Sequence, residues 1–336
     1  MVIIIFEGLL ELIIGRKKPT AERKYVAFLD LNGPIFEGCD TTYNYCMFLS
    51  ENDYNGKKLL LPKDKEMLLY INDSLETDKM PYSKAIPQFL DIYEKNTSAI
   101  PLALSDELME EFVKTGEISL QTHPFDSVNF LDSLIKSGIV PIPLTSTPYP
   151  IINIANKELL DNRLQYPITT TQATETKDYD PAFHDKYGKR GKVYGRLKRR
   201  VDSLREKNLA CKNFITSNKG NFNWIEYKVG NEKILLAGLG AGDRINDMGF
   251  LDPYCFVKCV LNHDQEMYKA AKQAQQRDTG NQYKIWIIYP DSDTFNTELT
   301  NAFTKLHGQN GQNAKPHEHT NDFINENRTH GIKKEM

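Results

Sequence analysis

Short apolar runs alternate with longer amphipathic stretches along most of the chain, which predicts strands and helices in turn. Residues 24–31 (KYVAFLDL) predict a first strand, and Gly33 and Pro34 turn the chain behind it. Asp40 stands as an N-cap, with apolar residues at helical spacing over 40–52. Residues 51–120 then read as helices with polar joints, over 63–72, 84–94 and 105–115. A helix over 123–136 ends near Gly138, and IVPIPL at 139–144 predicts a second strand. Pro141 and Pro143 count against that strand, because proline cannot donate to a central ladder. A helix at 151–164 and a β-branched third strand at 168–172 follow. Residues 173–195 read as a polar loop or small insertion, 193–208 as a strongly basic helix, and 221–227 as a further helix. Strands at 234–240, 255–261 and 284–289, the last at a sheet edge, alternate with helices at 265–276 and 295–306. Such alternation predicts an α/β fold with a central, mainly parallel sheet.

The two ends depart from this pattern. Residues 1–15 (MVIIIFEGLLELIIG) are mostly apolar but too short to span a bilayer, which takes about 20 residues. No basic n-region precedes the stretch and no small-residue cleavage site is clear, which speaks against a signal peptide. Two readings remain: it packs on its own domain, or it docks on a membrane surface or a partner. Residues 307–336 are rich in Asn, Gln, Gly, His and Lys and are expected to be a disordered tail. A net charge of -3 gives no reason to expect a nucleic-acid partner. Five cysteines without a CxxC pair suggest reduced thiols and a cytoplasmic setting.

The candidate chemistry sits where apolar runs end. In LLAGLGAGDRINDMGF, residues 235–250, an apolar strand runs into glycines and then delivers Asp243 and Asp247. In open α/β sheets ligands bind at the carboxyl ends of the strands. Two carboxylates four residues apart on such a loop suit a hard divalent cation, most readily Mg²⁺. The blander reading has Asp243 capping the next helix and Asp247 solvated. Asp30, at the end of the first strand, is a second acidic strand end, and the two can meet only if their strands are sheet neighbours.

Asp30-Leu31-Asn32-Gly33 resembles the first motif of the haloacid dehalogenase (HAD) superfamily of phosphohydrolases, and GDRIND resembles its fourth. The resemblance spans about residues 24–265 and implies a Rossmann-like core over 24–40 and 122–306. It implies that Asp30 is a nucleophile forming an aspartyl-phosphate, with Mg²⁺ held by Asp30, Asp243, Asp247 and the backbone carbonyl of Asn32. Thr145, or alternatively Ser146, matches the hydroxyl that bonds a phosphoryl oxygen. Lys219 matches the basic residue that neutralises phosphate and nucleophile, with Lys212 and the cluster 196–200 as rivals.

One departure from the family pattern matters. Asn32 stands where phosphatases of the superfamily usually carry a general acid/base Asp, and an amide cannot exchange the proton. A slow enzyme, a proton supplied by Glu37 or Asp40, or a non-catalytic binding or regulatory descendant would each follow. More than a hundred residues separate Asp30 from Thr145, far beyond what a crossover needs, and the surplus is helical. Residues 41–121 therefore resemble the helical cap of the phosphoserine-phosphatase-like branch, which implies a small phosphorylated substrate. The Asp-Leu-Asn-Gly-Pro turn also loosely resembles archaeal HAD-like proteins associated with energy-converting hydrogenases, which would suit accessory docking through residues 1–15.

Overall fold

The computed structural model describes residues 24–288, apart from 39, 55, 78, 99, 123–125, 137, 179–189, 230, 262–263 and 282–283. The N-terminal stretch 1–15, the helix expected over 295–306 and the tail 307–336 lie outside the described residues. The first half of the chain holds β1 (Tyr25–Leu29), β2 (Phe36–Glu37), α1 (Thr41–Glu51), β3 (Asp53–Tyr54), β4 (Lys57–Lys58), α2 (Pro62–Glu76), α3 (Tyr82–Thr97), α4 (Leu102–Lys114), β5 (Ser119–Leu120), α5 (Ser127–Lys136), β6 (Ile139–Pro148) and α6 (Tyr149–Glu158). The second holds β7 (Ile168–Asp178), β8 (Arg190–Arg199), α7 (Leu204–Ser217), β9 (Ile225–Val229), β10 (Glu232–Gly242), a 3₁₀ turn (Ile245–Asp247), α8 (Met248–Tyr254), β11 (Cys255–Val260), α9 (Gln265–Arg277) and β12 (Ile285–Ile288).

The main sheet runs β12-β11-β10-β1-β6-β7-β8, with β9 paired to β10. Its pairings are parallel except β7 with β8 and β9 with β10. It is the mainly parallel α/β sheet that the sequence pattern predicts. β1 lies at its centre, flanked by β10 on one side and β6 on the other, so strand order reverses there. That is the topological switch point, where an open α/β sheet leaves a crevice beyond its carboxyl edge. Leu29 of β1 is level with Ala241 of β10, which sets Asp30 beside the loop that begins at Asp243.

Side chains alternate along β1, so its two faces feed two apolar clusters. Ala27 and Leu29 pack with α1 to α4, through residues such as Tyr45, Phe89 and Phe112. Val26 and Phe28 pack with α7, α8 and α9, through Cys211, Phe250 and Ala271. The helical stretch between β1 and β6 thus rests on one sheet face and shares its core.

β6 is fully buried along its length despite three prolines, Pro141, Pro143 and the terminal Pro148. Pro141 accepts from the Gln165 N–H at 3.0 Å, so its peptide edge faces the β7 side. Pairing with β7 begins only at Leu144 and Ile168, so neither Pro141 nor Pro143 interrupts an established ladder.

Three expectations are corrected. Residues 173–178 and 190–195, with the first half of the expected basic helix, belong to the hairpin β7–β8, and the helix starts only at Leu204 behind its Ser203 N-cap. Residues 221–227, expected as a helix, form a turn over 221–224 and then the start of β9. The hairpin leans on the helical stretch: Tyr194 donates its hydroxyl to Asp106 at 2.9 Å, and Arg200, just past β8, ion-pairs with Asp91 at 2.6 Å. Among the described residues no helix is long and apolar enough to cross a membrane.

Candidate metal centre

Asp30, Asp243 and Asp247 meet at the carboxyl edge of β1 and β10. One ligand oxygen from each lies within 4.8 Å of the others, and all three side chains are buried. The Asp30 N–H donates to Ala241 O at 2.9 Å, which ties the first strand end to the second. Two glycines permit the approach. Gly33 has φ +84, and a Cβ there would stand 2.5 Å from Asp243 Oδ2. A Cβ on Gly242 would stand 2.5 Å from that of Asp247.

The three carboxylates differ in what occupies them. Asp247 Oδ2 accepts from the backbone N–H groups of Asp243 at 2.9 Å and Arg244 at 3.0 Å, folding the loop back on itself. Its Oδ1 takes Lys207. The loop-clamping residue is therefore Asp247, and Asp243 does not cap a helix. Asp243 Oδ2 lies 3.0 Å from Arg244 Nε. Asp243 Oδ1 is buried and accepts no hydrogen bond among the described residues, and Asp30 Oδ1 faces only the Lys207 ammonium, 3.1 Å away. A buried, unsatisfied carboxylate oxygen is costly, and one set among three clustered carboxylates suits a cation.

Charge adds to this. Three carboxylates face two cationic side chains, Lys207 and Arg244, which leaves an anionic excess. Burial, helped by Asp247, pushes the Asp30 carboxyl up, against the pull of Lys207. Burial pushes Asp243 well above the usual carboxylate range, against Arg244. Burial disfavours the Lys207 charge, but Asp247 and Asp30 outweigh it and raise its pKa overall. An all-oxygen donor set with an anionic surplus fits a hard divalent cation such as Mg²⁺.

Lys207 was not among the expected residues. It comes from the first turns of α7, is 1% exposed, and places Nζ 3.1 Å from Asp30 Oδ1 while bonding Asp247. Lys219 is a correction. It is exposed in the turn beyond the far end of α7. That turn sits at the amino end of β1, where Asn223 N–H donates to Lys24 O at 2.9 Å, so Lys219 is at the wrong edge of the sheet. Lys212, Arg196 and Arg199 are exposed as well, and Arg200 is committed to Asp91 and Glu94.

The Asn32 side chain is fully committed. Its Nδ2 donates to Asp40 Oδ2 at 3.2 Å and to Thr147 Oγ1 at 3.3 Å, and its Oδ1 accepts from the Thr41 hydroxyl at 2.5 Å. Thr145 is buried at the end of β6, and its hydroxyl pairs with Thr147 rather than with the carboxylates. Ser146 is buried beside it. The hydroxyl that reaches the first-strand turn is that of Thr147. Glu37 is exposed, whereas Asp40 is buried. Asp40 caps α1 by accepting from Thr42 N–H at 2.8 Å and Tyr43 N–H at 3.1 Å. It also accepts from the Tyr82 hydroxyl at 3.0 Å, and burial leaves its pKa raised despite these donors.

No family model matches the chain, and no curated protein does. Among solved structures, a protein of unknown function from Bordetella pertussis Tohama I is 14% identical, over 80% of this chain and 99% of its own, at a TM-score of 0.50. A phosphoserine phosphatase solved as a phospho-aspartyl intermediate analogue is 12% identical, over 75% of this chain and 99% of its own, at 0.42. Cytosolic 5′-nucleotidase IIIB bound to cytidine is 12% identical, over 90% and 91%, at 0.46. At such identities the likeness is one of fold. The resemblance of the first turn to archaeal hydrogenase-associated proteins finds no support among these structures.

Proposed function

We propose that this chain is a Mg²⁺-dependent phosphohydrolase working in the HAD manner on a small phosphorylated metabolite. The observation that carries the reading is the convergence of Asp30, Asp243 and Asp247 on one buried spot, with Asp243 Oδ1 left without a hydrogen-bond partner and Lys207 between Asp30 and Asp247. In this scheme Asp30 and Asp243 would hold the ion through their carboxylates, with Asp247 beside them and the Asn32 backbone carbonyl as a further ligand. The ion would draw charge from the phosphoryl oxygens.

The remaining roles fall to the chain itself. The Asp30 carboxylate attacks phosphorus in line, the ester P–O bond breaks, and the leaving oxygen takes its proton from water. Water then cleaves the aspartyl-phosphate, releasing phosphate and restoring Asp30. Lys207, in the role expected of Lys219, favours the ionised form of the nucleophile and offsets the phosphate charge. Thr145, Ser146 and Thr147 supply hydroxyls at the end of β6 for the phosphoryl group. The helical stretch between β1 and β5 acts as a cap that limits the size of the substrate and keeps out water.

The test is a screen of phosphate esters with Mg²⁺, comparing wild type with Asp30→Asn. Turnover that falls by about 10⁴-fold or more fits loss of a covalent nucleophile. Turnover that survives the substitution refutes the assignment. A second reading rests on Asn32, whose amide is tied up by Asp40, Thr147 and Thr41 and exchanges no proton. On that reading the scaffold binds Mg²⁺ and phosphate without hydrolysing any ester.

A further inference from the structure

We propose that Arg244 and Tyr82 couple the helical stretch to the metal centre, so that seating of α3 against the core sets the affinity for Mg²⁺. The inference rests on the metal reading above and concerns two residues outside the ligand set.

Arg244 follows Asp243 directly, and its side chain is held from three sides. Nε lies 3.0 Å from Asp243 Oδ2, and Nη1 donates to Asp264 Oδ2 at 3.3 Å. Asp264 is itself fixed as the N-cap of α9, where its Oδ1 accepts from Met267 N–H at 2.7 Å. The guanidinium lies over the Tyr82 ring, 4.7 Å from its centroid. Tyr82 opens α3, and its hydroxyl is pinned to Asp40.

The consequence concerns the orientation of one carboxylate. Arg244 occupies Asp243 Oδ2 and leaves Oδ1 as the free oxygen. Partners that hold a ligand side chain in one orientation typically change metal affinity by about 10–100-fold when removed. Arg244 is such a positioning residue for Asp243, and Tyr82 positions Arg244 by stacking, which a planar guanidinium does well and an ammonium does poorly. Among the described residues, Tyr82 is the partner that the helical stretch supplies to Arg244. If that stretch moves away, the ring leaves, Arg244 loses a wall, and Asp243 is held less firmly. Metal affinity and closure are linked in both directions, as any coupling between two sites must be.

The sign of the effect separates this role from plain electrostatics. Arg244 is a cation beside a cation site, so if its charge alone mattered, removing it would tighten Mg²⁺ binding. Positioning predicts the reverse. Mg²⁺ is titrated calorimetrically into metal-free wild type, Arg244→Met, Tyr82→Leu and Tyr82→Phe, with circular dichroism confirming the fold of each. Arg244→Met and Tyr82→Leu are expected to weaken binding by about 10-fold or more. Tyr82→Phe keeps the ring and stays within a few-fold of wild type. Unchanged or tighter binding in either Arg244→Met or Tyr82→Leu overturns the coupling and leaves the metal centre standing. A wild type that binds no Mg²⁺ overturns both.

Discussion

Lys207→Met is expected to lower the free energy of unfolding by about 3–5 kcal/mol at neutral pH, the typical cost of removing one partner from a buried ion pair. Lys207 is 1% exposed and sits between Asp30 and Asp247, so the substitution leaves two buried carboxylates facing each other without a counter-ion. The loss should depend on pH in a definite direction. Asp30 and Asp243 already have pKa values raised in the folded chain by burial and by the neighbouring Asp247. An acid with a raised folded-state pKa contributes stability that is complete below its ordinary value and disappears as pH rises through the raised one. Without Lys207 the Asp30 value rises further. The variant should therefore come nearest to wild type at about pH 5 and fall furthest behind at about pH 8. Urea unfolding at several pH values checks this. A deficit that is the same across the range would mean that Lys207 acts by packing alone.

Asn32→Asp is the second large effect, and it is a gain. The amide donates to Asp40 Oδ2 at 3.2 Å. A carboxyl placed there faces another carboxylate at hydrogen-bond distance, so it keeps the contact only by holding a proton. A protonated acid at that position is what a departing alkoxide needs. If the rest of the site is competent, ester hydrolysis should rise by about 10²–10⁴-fold, the usual worth of general acid catalysis. A rate that stays at background would favour the reading in which this scaffold binds without turning over. The substitution should also make the protein less stable as pH rises, because the introduced carboxyl must stay protonated to keep its bond to Asp40.

The two acidic strand ends were readable in the sequence because each follows an apolar run, and only adjacent strands could bring them together. The helices of residues 41–114 were readable from their amphipathic spacing, although each boundary shifted by a few residues. The hairpin β7–β8 was missed because its lysines and arginines favour helices and masked an alternation of two. Val193 and Gly195 are buried, whereas Lys192, Arg196 and Lys198 are exposed. That error displaced the start of α7 and hid Lys207. Counted from the Ser203 N-cap, Lys207 falls on the same stripe as Ala210, Cys211 and Ile215. A lysine on an apolar stripe needs a buried partner, and that signal was present. Nothing in the local sequence showed that Tyr82 would reach Arg244. The two are 162 positions apart by their numbers, and only the packing of α3 on the core joins them.

The account depends on one shared cation at the end of β1 and β10. Calorimetric titration of Mg²⁺ into metal-free protein tests this most directly, with Asp30→Asn and Asp243→Asn alongside wild type. The account predicts saturable binding of one ion per chain, weakened about 10-fold or more by either substitution. Binding that survives both substitutions unchanged, or a wild type that takes up no ion, would contradict it.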